Sequence, residues 1–193
     1  MFSLKNVSPT ITDMIRFDHS HVMLTWHQYV STKTATVKKA LAETICDALE
    51  IHATLEEEIF YPTLRQLGIG GHTLGKSEPE HNEMRAVIAR IRSADPESSR
   101  YDQLVAELMR DVIKHVADEE TVLLPDAERL LSSERLSALG VQMTKRRAQL
   151  LAPKAGKIAA STVVGFSSST TALVGAAVGA LLLGRAISKR ATS

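Results

Sequence analysis

Two stretches of this chain carry one pattern. His52-Ala53-Thr54-Leu55-Glu56-Glu57 leads to Pro62, and His115-Val116-Ala117-Asp118-Glu119-Glu120 leads to Pro125. In both, glutamates follow the histidine by four and five residues and a proline by ten. Residues four apart on a helix stand one turn apart on the same face, so each motif sets an imidazole beside a carboxylate. Both lie in runs with helical period: Ile45, Leu49, His52, Glu56 and Ile59 in one, Leu104, Leu108, Val112, His115, Glu119 and Val122 in the other. Histidine and glutamate thus stand on stripes that should be apolar. Any fold that buries these stripes must partner the polar groups, because an unpartnered one costs ~2–7 kcal/mol and a charge costs more.

The partner stripes repeat the relation. Residues from about Pro9 to Val30 carry Ile15, His19, Val22, Trp26 and Tyr29, and Ser8-Pro9 is a start signal for their helix. A third helix is expected to open at Ser77, with Glu80 completing a capping box, and to carry His81, Met84, Ile88 and Ile91. His19 precedes His52 by 33 residues and His81 precedes His115 by 34, so (His19, His52, Glu56) and (His81, His115, Glu119) form two halves of an internal repeat. In antiparallel helices, groups at one depth are equidistant from the connecting turn. The midpoints fall near residues 36, 67 and 99, close to the polar break at 31–36, Gly68 and Ser99. The expected architecture is all-α: an up-down-up-down four-helix bundle with six groups converging at one depth. Pro62 and Pro125 are expected to kink or end helices two and four.

Two glutamates and four imidazoles in an apolar interior are a donor set for two cations. Mixed nitrogen and oxygen ligands suit iron, manganese or zinc, with iron favoured where coordination positions stay open. A lone HxxxE is most often a surface ion pair; two at equal depth, each with a further histidine, are a metal signal. His21, His27 and His72 lie off the stripes and are expected at the surface. Glu57, Glu58 and Glu120 are expected on the solvated face or behind the ligands, with Glu120 an alternative to Glu119.

At these residues the sequence resembles the hemerythrin-like family, the HHE cation-binding domains. The matching elements are Asp18-His19, His52xxxGlu56 with Phe60-Tyr61-Pro62, Glu80-His81, and His115xxxGlu119 with Leu123-Leu124-Pro125, over about residues 10–130. The resemblance implies a four-helix bundle around two non-haem irons. His19, His52, His81 and His115 would be terminal ligands, with Glu56 and Glu119 as bridging carboxylates. Oxygen-carrying members have HxxxH on the third helix, where this chain has Arg85 in place of the second histidine, and they place the last carboxylate at the position of Glu120. One imidazole fewer leaves a coordination position for water, peroxide or NO. The implied functions are binding or sensing of O₂, peroxide or NO, and iron handling. Peroxide decomposition as an enzyme is the alternative, and a metal-stabilised membrane-tail adaptor is the non-catalytic one.

Composition adds a boundary. The net charge of +1 is an average: residues up to Glu134 hold 14 basic and all 22 acidic side chains, a balance of −8, and residues from Arg135 onward hold 9 basic and no acidic ones. The expected division is 1–131 for the bundle, 132–157 for a basic helix and linker, and 158–193 for an apolar Gly/Ala-rich tail. Ser132 or Ser133 is expected to cap the basic helix. Residues 158–184 carry no charge and are long enough to span a bilayer, although only Ala172–Gly184 is strongly apolar. Spanning, packing on the bundle and a free tail are therefore all open. Lys145, Arg146, Arg147, Lys154 and Lys157 would favour an anionic membrane surface, and no motif points to nucleic acid. A single cysteine, Cys46, and the lack of a signal-peptide core lead to the expectation of a cytoplasmic protein, attached by its tail to the inner face of a membrane if the tail inserts.

Overall fold

The computed structural model describes residues 9–166, and among these every regular element is helical. They are α1 (Ile11–Ser31), α2 (Ala35–Leu55), α3 (Tyr61–Gln66), α4 (Gly71–Ser93), α5 (Ser99–Asp118), α6 (Leu124–Leu130), α7 (Ser133–Leu151) and α8 (Ala155–Phe166). Five-residue π turns, Glu56–Phe60 and Glu119–Leu123, join α2 to α3 and α5 to α6. The two motif helices therefore continue through their prolines. A proline has no N–H for the preceding turn, and its ring crowds the carbonyl four residues back. The wider turn accommodates this, with the Tyr61 N–H bonding to the Glu56 carbonyl and the Leu124 N–H to that of Glu119.

Each π turn inserts one residue into the helical phase, so the buried stripe slips by one. The expected inner residues Ile59 and Val122 are half-buried and 36% exposed, while Phe60, Tyr61, Leu64, Leu123 and Leu124 are fully buried. Two helix starts also differ from expectation. α1 is capped by Thr10, whose hydroxyl accepts from the Asp13 N–H while the Asp13 carboxylate accepts from the Thr10 N–H. α4 begins six residues before Ser77. Gly70 turns the chain into it at φ +91°, and a side chain there would also strike Leu74 and Leu123. Ser77 is instead buried inside α4, donating to the Thr73 carbonyl at 3.0 Å.

The core falls into two apolar clusters. One holds Val22, Leu41, Ile45, Ile88, Leu104 and Leu108; the other holds Ile15, Leu55, Phe60, Leu64, Leu123 and Leu139. Along α1, α2, α4 and the continuous run from α5 into α6, the clusters lie to either side of a polar layer formed by His19, His52 with Glu56, His81, and His115 with Glu119. This layer is what the helices position.

The described part of the basic segment lies on the same body. α7, capped by Ser132, packs against α1 and α2 through Leu136, Leu139 and Met143. Its Gly140 meets the backbone of Pro9 and Thr10 so closely that any side chain would collide. α8 lies along α2, where Gly165 abuts Leu41 and Phe166 enters the first cluster. Four of the five cations expected at a membrane surface are in intramolecular pairs: Arg146 with Glu58, Arg147 with Asp18, Lys154 with Asp47 and Glu50, and Lys157 with Glu43. Among the described residues no helix is long and apolar enough to cross a membrane. Most of the proposed 158–184 segment, from residue 167, lies outside the described residues.

Candidate metal centre

The structure brings all six expected residues together. Each is buried, and Glu56 and Glu119 have no exposed surface. They form two groups that share Glu56: His19, His52, Glu56 and Glu119, and Glu56, His81 and His115. Within each group the candidate ligand atoms all lie within 4.8 Å of one another. The Nε2 of His19 is 3.2 Å from Glu119 Oε2, that of His52 is 3.1 Å from Glu56 Oε2, and that of His81 is 3.5 Å from Glu56 Oε2. His115 Nε2 lies 3.6 Å from Glu119 Oε2.

All four imidazoles face inward by the same device. His19 Nδ1 is 2.8 Å from Glu120, His52 Nδ1 is 3.4 Å from Asp18, His81 Nδ1 is 2.9 Å from Glu57, and His115 Nδ1 is 2.9 Å from Glu80. A carboxylate behind Nδ1 holds the proton on that nitrogen and turns the Nε2 lone pair inward, the arrangement that makes an imidazole a metal ligand. Each carboxylate has its own cation: Arg16 for Glu120, Arg147 for Asp18, Arg85 for Glu57, and Lys114 for Glu80.

Without a cation this layer is poorly satisfied. His19 Nε2, His52 Nε2, Glu56 Oε1 and Glu119 Oε2 are buried with no hydrogen-bond partner. His81 Nε2 and His115 Nε2 stand 3.0 Å apart, two lone pairs facing each other. Burial and the neighbouring charge of Glu119 push the Glu56 carboxyl upward. Burial opposes ionisation of Glu119 too, but the closeness of His19 and the other imidazoles around it, His115 and His52, outweighs burial and holds its carboxyl well below the usual range. Burial and the imidazoles of His115 and His52 push His81 down to about 2, which keeps its ring neutral. These groups fit metal ions, which would neutralise the carboxylates and accept every inward lone pair.

Comparison with known proteins agrees. The hemerythrin HHE cation-binding domain matches residues 10–136. This chain belongs to that family. An HHE domain-containing protein from Mycobacterium kansasii has the same fold, with a TM-score of 0.68 and 16% identity, over 78% of this chain and 92% of that one. A protein of Nostoc sp. named DNA nickase is 29% identical over 125 residues, which are 65% of this chain. The chain spans about a third of that relative's length, 35%.

Within this HHE domain, Glu119 belongs to the inner group and Glu120 stands behind His19. Arg85 is absent from the inner groups; it grips Glu57, with Nη2 2.8 and 2.9 Å from the two carboxylate oxygens. Glu58 points outward to Arg146. His27 and His72 are exposed, and His21 is half-buried with its pKa lowered by burial. Glu80, expected in a capping box, serves His115 instead, because α4 starts earlier.

Tyr61 had no expected role. Its hydroxyl donates towards Glu119 Oε1 at 2.8 Å and Glu56 Oε2 at 3.1 Å, so it ties the two buried carboxylates together. Burial and those two charges raise its pKa, which keeps the hydroxyl protonated. The corresponding residue in the other half is Leu124. A tyrosine before one proline and a leucine before the other was the available signal, but the π turn that swings Tyr61 inward is not visible in the pattern.

A cavity of about 20 Å³ adjoins the imidazoles. That is room for roughly one water-sized molecule. Its remaining wall is mostly apolar, including Val22, Leu49, Met84, Ile88 and Val112.

Proposed function

We propose that this chain is a non-haem di-iron protein that binds or senses O₂, peroxide or NO, or handles iron. His19, His52, His81, His115, Glu56 and Glu119 would hold the two ions, with Glu56 shared between the two donor groups. The observation that carries this is the pair of buried donor groups sharing Glu56, since a shared carboxylate is what two adjacent cations require. The four ligand-bearing helices form an up-down-up-down bundle. In support, Asp18 in the first half of α1 meets His52 in the last turn of α2, while Tyr29 near the end of α1 meets Lys38 near the start of α2.

When bound, iron supplies Lewis-acid and redox chemistry. The residues of the chain do the rest. Carboxylates behind each Nδ1 fix the four rings, and the two apolar clusters exclude bulk water from the layer. The cavity limits entry to a small molecule, and its apolar wall suits a neutral one. Peroxide as the reactive ligand has one observation in its favour: the Tyr61 hydroxyl is a protonated donor held inside the layer.

Metal analysis and the optical spectrum of aerobically purified protein test the reading. About two irons per chain with a ligand-to-metal charge-transfer band is the expected result. Less than one iron per chain after anaerobic reconstitution would overturn it. Steady oxygen release from added peroxide, lost in His81→Ala, would select the enzymatic form over stoichiometric binding.

A further inference from the structure

The stretch matching the family ends at residue 136, so most of α7 (Ser133–Leu151) lies beyond it. Yet α7 reaches the metal layer. The Arg147 guanidinium grips Asp18 through two parallel bonds, Nη1 to Oδ1 and Nη2 to Oδ2, both 2.6 Å. The two side chains are only 16% and 13% exposed. The Asp18 oxygen held by Nη2 also faces His52 Nδ1.

This arm differs from the other three. Their imidazole–carboxylate distances are 2.8–2.9 Å, and their cations come from helices of the matched stretch. At His52 the distance is 3.4 Å. A bidentate arginine fork fixes a carboxylate in one orientation and draws on its negative charge, leaving it a weaker acceptor. The same fork thus sets both where Asp18 stands and how strongly it polarises His52.

We infer that Arg147 is a positioning residue for the metal centre. It holds Asp18 so that His52 keeps its proton on Nδ1 and its Nε2 inward, and through it the docking of the C-terminal helix is coupled to metal affinity. The inference rests on the metal-centre reading above. Outer partners of metal-binding histidines change metal affinity by roughly 10–100-fold when removed.

The test uses the full chain and four proteins: wild type, Arg147→Met, Arg147→Lys and Arg146→Met. Arg146 sits beside Arg147 on α7 but pairs with Glu58, which touches no imidazole of the layer, so Arg146→Met removes a helix-docking ion pair without reaching the centre. Fe(II) affinity is measured by competition with a chromophoric chelator. The His52 Nδ1–H bond to Asp18 is read from the Nδ1 proton and ¹⁵N shifts of the metal-free protein. Arg147→Met should lower Fe(II) affinity at least ~10-fold and shift or broaden the His52 Nδ1 proton resonance, with Arg147→Lys intermediate and Arg146→Met unchanged. An Arg147→Met affinity within twofold of wild type, or an equal loss in Arg146→Met, would overturn the inference. If wild type binds no Fe(II), the metal-centre reading fails on its own; an unchanged His52 Nδ1 proton resonance in metal-free Arg147→Met then overturns the role of Arg147 separately.

Discussion

The two halves of the metal layer are built alike and supported differently. Asp18, His19, His52, Glu56 and Glu57 in the first correspond to Glu80, His81, His115, Glu119 and Glu120 in the second. Within a half, the carboxylate preceding the first histidine stands behind the second histidine: Asp18 behind His52, Glu80 behind His115. Between halves, the carboxylate following the inner glutamate crosses over: Glu57 behind His81, Glu120 behind His19. The repeat thus describes a network as well as a ligand set. It breaks at two places, Tyr61 against Leu124 and the cation behind each half's own carboxylate. Arg147 of α7 forks Asp18, whereas Glu80 meets two lysines by single contacts, Lys114 of α5 at 3.3 Å and Lys76 of its own helix at 3.8 Å. In a di-iron centre, approximate symmetry would set where the two ions sit, and departures from it would set how the two positions differ.

The largest expected effect comes from breaking what the halves share. Glu56→Gln should abolish binding of both ions, since Glu56 belongs to both donor groups, while raising the melting temperature of the metal-free protein. Two buried carboxylates repel there, and the neutral amide removes the repulsion. Iron content and metal-free thermal melts read both effects; a lower metal-free melting temperature would contradict the assigned electrostatics. His19→Ala and His81→Ala should each weaken one ion position, and unequal residual iron would show that the halves differ in affinity.

Removing the support peculiar to the first half comes next. Gly140→Ala forces a methyl into the Pro9–Thr10 backbone, and overpacking of this kind costs about 1–3 kcal/mol. A urea melt should show that loss, together with weaker metal binding if α7 holds the first half. Tyr61→Phe leaves both carboxylates without their shared donor, at about 1–3 kcal/mol in the metal-free protein. Leu124→Phe, the matching change in the other half, deletes no such bond and should leave the spectrum of the iron-loaded centre unaltered. An equal spectral shift in both would remove Tyr61 from the centre.

The smallest effect concerns the docking of α8. Burial pushes the Glu50 carboxyl up, but the hydrogen bonds and charges of Arg92 and Lys154 outweigh it, and the folded pKa lies below the ordinary 4.5. Its contribution is therefore present above pH 4.5 and is lost as pH falls through the lower folded value. The pair is partly exposed, so the change should stay within about 1 kcal/mol. Amide exchange in α8 should accelerate below pH 4.5, and Lys154→Met should remove that acid-induced part. An acceleration of equal size in Lys154→Met would dissociate Glu50 from the docking of α8.

How far the sequence reaches follows from the same residues. Helical period placed His19, His52, Glu56, His81, His115 and Glu119 on inner stripes, and equal distances from three turns placed them at one depth. Both are local regularities, since a helix repeats every 3.6 residues whatever packs on it. The sequence also separated the acidic bundle from the basic segment. Two things were out of its reach. The π turns before Pro62 and Pro125 rephase each helix by one residue, so Tyr61 rather than Ile59 faces inward, and no spacing rule encodes that insertion. The partners of Arg147, Glu57 and Glu80 lie on other helices, and choosing Asp18 for Arg147 over a lipid headgroup depends on where α7 docks. Periodicity determines which face a side chain takes, whereas only packing between helices determines what that face meets.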